Sequence, residues 1–384
     1  MAKRIRPLNK MMIMATMTMT TITVTTTTTT MTTITMIKQP RTVPPPSWQW
    51  QQHNFRAMST DIHALIYTSA KRSLVGNVEN LFRYYEQLLS RFRPTSELSR
   101  LNNHDGSIFM ASPDLFAAVE AALWAAQQSG GIYDPTILPY LEMAGYDCTS
   151  AAIRDQRPLR AGEALDDGYQ AMPLPDLRSG LDYRHIQLDR SAGMIRRPVG
   201  MLLDLGGMGK GWTVDRVFDE VGGKGPCLLN AGGDLYAYGF PDGRRGWEIQ
   251  LANPLNPKMT MATLSLSHHA VATSTIAKRR WFKDGHVQHH LIDPRTGHPA
   301  VTDAISVSVV GGRVFTAEIQ AKIALILGVE EGLAYLESQP DVEGLMFTTD
   351  GEVLLTSGMD QYSMPMDISG DEPKNEWRNN HDQA

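Results

Sequence analysis

The sequence predicts an α+β fold, a single mixed domain of mainly antiparallel strands with packed helices. Three observations predict it. Short apolar runs of strand character recur from residue 183 onward, at 185–189, 227–231, 235–239, 246–251, 261–267, 269–273 and 304–310. Turn signals such as Asp242-Gly243 and Asp350-Gly351 separate several of these runs. Helical patterns fall before and between them without a repeated βαβ unit, which argues against a doubly wound sheet.

The elements follow in order. Asp61-Ile62-His63-Ala64-Leu65-Ile66-Tyr67 reads as a first strand after the turn Met58-Ser59-Thr60. Over 74–90, Val75, Val78, Leu81, Phe82, Tyr85, Leu88 and Leu89 share one helical stripe. Ser112 is a suitable N-cap with Pro113 in the first turn, and Gly130-Gly131 ends that helix. The Pro-, Gly- and Asp-rich stretch 150–182 reads as a surface excursion. Further helices are expected near 208–221 and 314–327, the second ending at Gly328. No interdomain linker is visible after residue 55.

Composition separates this domain from its flanks. Of 384 residues, 42% are apolar and 20% charged, an ordinary globular balance. Residues 15–36 are different, with 14 Thr among 22 residues and no charge. That run is too polar to span a membrane. Lys3, Arg4, Arg6 and Lys10 before Met11-Met12-Ile13-Met14-Ala15 resemble a signal-peptide start, but the apolar stretch is short. We therefore expect a disordered leader and Pro linker over 1–47, a folded domain over 48–365 and a disordered polar tail over 366–384. A net charge of -5 excludes an electrostatic nucleic-acid binder. Cys148 and Cys227 form no CxxC pair and no disulfide framework. Stable membrane insertion is not expected, and the assigned compartment is the cytoplasm.

Chemistry concentrates in three glycine clusters. Leu203-Asp204-Leu205-Gly206-Gly207-Met208-Gly209-Lys210-Gly211-Trp212 runs from an apolar strand end into a helix start. Glycines permit close backbone approach, and helix N-terminal amides attract anions. Lys210 is suited to a phosphate, Asp204 to a hydroxyl, ring nitrogen or metal-bound water. The segment matches neither the Walker A pattern nor GxGxxG. Asn230-Ala231-Gly232-Gly233-Asp234 and Ser129-Gly130-Gly131-Ile132-Tyr133-Asp134-Pro135-Thr136 repeat the combination of paired glycines and an Asp. Six of 11 histidines lie between His268 and His298, yet HExxH and related zinc spacings are missing. His289-His290-Leu291-Ile292-Asp293-Pro294-Arg295-Thr296-Gly297 reads as a turn that orients a ligand or braces the backbone.

These segments, taken in order with Phe55-Arg56-Ala57-Met58-Ser59-Thr60, Ser90-Arg91-Phe92-Arg93-Pro94 and Ala272-Thr273-Ser274, resemble the ApbE-like flavin transferases, the FAD:protein FMN transferases. The resemblance covers about residues 55–360. It implies magnesium-dependent transfer of FMN from FAD to a Thr or Ser hydroxyl of a partner flavoprotein, with release of AMP. By position it implies flavin-nucleotide contacts at Met58, Phe92, Ile132, Tyr133, Asp134, Asp204, Lys210 and Leu291. It implies catalytic roles for Asp204, Lys210 and His290, and metal ligation at Gly207, Glu318 and the position of Lys322.

The chain departs from that pattern where the metal is expected. Thr316-Ala317-Glu318-Ile319-Gln320-Ala321-Lys322 carries Glu for the usual Asp and Lys for a neutral Thr ligand. Residues 318 and 322 are one helical turn apart, so both can face one site. Phe92 stands for a Tyr, Thr275 for a Gly after Thr273-Ser274, and Ser59 for a Gly in the first turn. Two alternatives to transfer follow: an FAD-binding protein with lost or altered transfer, and an FAD pyrophosphatase giving FMN and AMP.

Overall fold

β1 (Gln49–Ala57) and β2 (Thr60–Thr68) pair antiparallel through a two-residue loop, Met58-Ser59. Both loop residues have positive φ, 51° and 59°, as the primed hairpin turn requires. Burial alternates along β2, so one face of the hairpin meets the core. This geometry comes from a computed structural model, which describes residues 48–70, 73–148, 153, 182–223, 225–241, 246–283 and 286–362. The leader 1–47, the tail 366–384, nearly all of the 150–182 excursion and the Asp242-Gly243 turn lie outside the described residues.

The chain continues with α1 (Leu74–Leu89), α2 (Glu97–Asn102), β3 (Ile108–Met110), α3 (Pro113–Gln128) and α4 (Leu138–Met143). Then come β4 (Gln187–Asp189), β5 (Met194–Arg196), α5 (Gly209–Val221), β6 (Cys227–Ala231), β7 (Asp234–Tyr238), β8 (Trp247–Ala252), β9 (Thr260–Leu266) and β10 (His269–Thr275). The last are β11 (Arg280–Lys283), β12 (His286–His289), β13 (Ile292–Asp293), β14 (His298–Pro299), β15 (Ala304–Gly311), α6 (Val314–Leu327), α7 (Val329–Ser338), β16 (Val342–Thr348) and β17 (Val353–Leu355).

The expected caps form. Ser73 accepts from the Gly76 amide at the start of α1, and Ser112 accepts from the Leu115 amide at the start of α3. Six of the seven stripe residues of α1 are buried, with Leu81 packed at the margin. α6 is buried nearly all round, so it carries almost no amphipathic signal.

Eight strands make one sheet in the order β1-β2-β6-β7-β10-β15-β16-β17, and every neighbouring pair is antiparallel. The predicted α+β class holds. β6 shows how the sheet is covered on both faces. Cys227 and Leu229 join the core beneath α1, α3, α5 and α6, whereas Leu228 points into a second core under the β8–β9 hairpin. Trp247, Ile249, Leu264 and Leu266 fill that second core. Burying each such side chain contributes about 1.5–3 kcal/mol, so both faces stabilise the sheet. The described helices include none long and apolar enough to cross a membrane.

Strand pairing brings the chemistry together at one end of the sheet. The β6–β7 turn, Gly232-Gly233, has φ of 67° and 105°. A Cβ on Gly232 would lie 2.0 Å from Thr60 Oγ1, so only glycine lets this turn sit beside the β1–β2 turn.

Candidate functional site

A cavity of about 480 Å³ opens at that end. Every residue singled out from the sequence lines it: Met58, Phe92, Ile132, Tyr133, Asp134, Asp204, Gly207, Lys210, His290, Leu291, Glu318 and Lys322. They come from segments nearly the whole length of the domain apart, and its size suits a small-molecule site.

One wall is built on Asp204. Its Oδ1 is ion-paired with Arg91 Nε at 2.9 Å, and its Oδ2 accepts from the Gly206 amide at 3.0 Å. Arg91 also donates to the Tyr146 carbonyl at 2.5 Å, and its guanidinium lies 4.0 Å over the Phe92 ring and 4.8 Å over Tyr146. Phe92 and Tyr146 meet edge-on at 5.7 Å, and Tyr146 stacks on Trp281. This is an aromatic wall with one cation–carboxylate pair sealed into it. Asp134 spends its Oδ1 on the backbone amide and hydroxyl of Thr136, at 2.8 and 2.7 Å, so it shapes the turn as well as lining the cavity.

The facing wall is built where α5 meets α6. Lys210 Nζ pairs with Asp234 and, at 2.6 Å, with Glu318 Oε1. Glu318 Oε2 accepts the Gly211 amide at 2.8 Å, and Asp234 Oδ1 accepts the Thr273 amide at 3.2 Å. The anion at the α5 N-terminus is therefore the protein's own carboxylate. A Cβ on Gly211 would come within 2.8 Å of the Val314 carbonyl and 2.9 Å of Glu318 Oε2, so glycine is what lets α6 deliver that carboxylate. Burial opposes the charge on Lys210, but Asp234 and Glu318 outweigh it and raise its pKa. Burial also raises the Glu318 pKa, against the pull of Lys210.

The paired histidines part company. His289 is buried, with Nε2 against the Ala300 carbonyl at 3.1 Å and Nδ1 accepting the Leu291 amide at 3.3 Å. It braces the backbone, and with the Ala300 amide on the Leu291 carbonyl both main-chain polar groups of Leu291 are engaged. His290 faces the cavity, and its Nδ1 is buried without a partner. Burial, then the charges of Arg279 and Lys322, hold its imidazole neutral. The Tyr133 hydroxyl is likewise buried and unpartnered.

The expected magnesium ligands do not form a fitting donor set. Five of the six carboxylate oxygens of Asp204, Asp234 and Glu318 already accept a hydrogen bond from the chain, and the sixth, Asp204 Oδ1, is ion-paired with Arg91. Lys322 is an ammonium, which has no lone pair to give while charged. Among the described residues no group of 3 or more His, Cys, Asp or Glu side chains could hold a metal ion. Glu318 is a hydrogen-bond acceptor for Lys210 and Gly211, and Lys322 brings positive charge of its own.

Three residues of the site were quoted within motifs or passed over without a role: Arg91, Asp234 and Tyr146. Asp234 closes the second glycine cluster, and a third carboxylate repeated beside paired glycines was the signal available for it. Arg91 sat beside Phe92 in a quoted motif, but its partner is 113 positions away at Asp204. Tyr146 carried no local pattern.

Comparison with known proteins agrees with this arrangement. The chain matches the ApbE family over residues 58–346. It is 29% identical over 297 residues to the FAD:protein FMN transferase of Treponema pallidum, covering 73% of this chain and 79% of that protein. It is 25% identical over 304 residues to the protein of that name from Klebsiella pneumoniae, covering 78% and 90%. Among solved structures, the ApbE protein of Thermotoga maritima superposes with a TM-score of 0.71 at 20% identity, over 83% of this chain and all of that one. The flavin transferase ApbE of Vibrio cholerae gives 0.66 at 22% identity, over 82% and 99%. One antiparallel sheet, one cavity at its end and the ordered glycine clusters thus come with a family match across most of the domain: the chain belongs to the ApbE family.

Proposed function

We propose that this protein is an FAD:protein FMN transferase, which moves FMN from FAD to a Thr or Ser hydroxyl of a partner flavoprotein and releases AMP. The observation that carries this reading is the single cavity, which unites the nucleotide-facing positions of the family motifs between an aromatic wall and a cationic wall. Its relatives of known name are FAD:protein FMN transferases, which supports the same chemistry here.

The roles follow from the chemistry of the step. The acceptor hydroxyl oxygen attacks the phosphorus of the FMN half. The bond from that phosphorus to the bridging oxygen breaks, AMP leaves with that oxygen, and the hydroxyl proton is lost. Such a step needs alignment and neutralisation of charge more than covalent help from the protein. Phe92 and Tyr146 offer apolar ring surface to a flavin or adenine. Asp204, fixed by Arg91 and Gly206, is an anchored acceptor for a ring or ribose donor. Two of the three Lys210 donors are used by Asp234 and Glu318, which leaves one for a phosphate oxygen. Neutral His290 can accept a hydrogen bond from the acceptor hydroxyl.

Incubating the purified chain with FAD and an acceptor protein tests this. Flavin fluorescence on the acceptor after denaturing electrophoresis, with equimolar AMP, is the expected result. FMN and AMP without labelled acceptor would identify a pyrophosphatase, and FAD binding without either product a binding protein. Asp204→Ala should weaken FAD binding by about tenfold or more, the scale of losing a hydrogen bond to a charged group.

A further inference from the structure

Lys322 stands out on the cationic wall. Its side chain is half-buried and lines the cavity, yet it makes no hydrogen bond and no close ion pair among the described residues. Glu318, one turn before it on α6, cannot serve as its partner, because both of its oxygens are held by Lys210 and Gly211. The ammonium sits against Gly207 and Tyr133: Nζ lies 3.6 Å, and Cε 3.1 Å, from where a Cβ on Gly207 would be.

Asp204, Asp234 and Glu318 supply three negative groups, and Arg91, Lys210 and Lys322 supply three positive ones. Two of those cations are consumed by the carboxylates. Lys322 carries all of its donors uncommitted among the described residues. Uncommitted donors and positive charge in a partly buried wall are what a phosphate oxygen requires. A divalent cation, by contrast, would meet two ammonium groups and carboxylates already held by the chain.

We propose that Lys322 does in this chain what a divalent cation would otherwise do, holding the diphosphate of FAD directly together with Lys210, so that nucleotide binding is independent of magnesium. The inference rests on FAD being the ligand. Lys322 binds and neutralises the diphosphate.

The test is a titration of the full chain with FAD, followed by flavin fluorescence, in excess EDTA and again in magnesium chloride. The same affinity in both is expected, with magnesium chloride alone giving no heat of binding by calorimetry. Lys322→Met should weaken FAD binding roughly ten- to a hundredfold in both buffers, as loss of a charged hydrogen bond does. FAD binding that appears only with magnesium would overturn the inference while leaving the flavin reading intact, and so would an unchanged affinity in Lys322→Met. No FAD binding in either buffer would overturn the flavin reading, and the inference with it.

Discussion

The two walls of the cavity handle charge differently. On the aromatic wall a single guanidinium meets a single carboxylate, and the ring faces of Phe92 and Tyr146 cover the pair. On the α5–α6 wall one ammonium serves two carboxylates while a second ammonium, Lys322, serves none. The first wall is complete as it stands and gives shape. The second keeps an ammonium without a hydrogen bond, and under the proposed function the diphosphate meets that wall and the flat rings the other.

The sharpest way to break this contrast is at Lys210. Lys210→Met strands Asp234 and Glu318 as buried carboxylates without a cation, and should cost about 3–5 kcal/mol of stability in urea denaturation. A loss under about 1 kcal/mol would mean that Lys322 swings in to replace it, and would remove the distinction between the two lysines.

Acid tests the neighbouring histidines. In the unfolded chain both take up protons near their usual 6.5, whereas burial holds His289 down to about 4 and His290 well below its usual value. A histidine kept neutral by folding supports stability above that unfolded value and withdraws it as the pH falls toward the folded one. Between pH 6.5 and 4, His289 should therefore subtract up to about 1.4 kcal/mol per pH unit, and His290 acts in the same direction. His290→Gln should make the decline in urea midpoint shallower than in the wild type. Identical slopes would place His290 outside the buried site.

The smallest effect is expected at the β1–β2 turn. Ser59 adopts φ of 59°, which a glycine occupies at lower cost. Ser59→Gly should raise stability by up to about 1 kcal/mol and leave FAD affinity unchanged. A change in affinity would show that the Ser59 side chain touches the ligand.

Much of this site was legible as sequence because its glycine clusters stand at strand and helix ends, where the chain cannot disguise a tight turn. The antiparallel sheet could be read from alternating runs such as 61–67 and 304–310. Other parts left no local trace. β16 and α7 went unread, since Val342–Thr348 is buried at nearly every position and α7 follows directly on Gly328, the residue that ends α6. The Arg91–Asp204 and Lys210–Asp234–Glu318 pairings span from 24 to 113 positions, and only folding reveals which carboxylate each cation meets. The metal expectation was carried by family pattern at 318 and 322, whereas the hydrogen bonds that hold Glu318 are a property of the assembled wall.

The contact between Gly211 and Glu318 has an evolutionary reading. A methyl group at 211 would land 2.9 Å from the carboxylate oxygen that the same residue's amide holds. The acid's length and the emptiness of 211 are thus one specification written at two places in the chain. Among relatives of this chain, positions 211 and 318 should covary, and substitutions at both should be strongly non-additive.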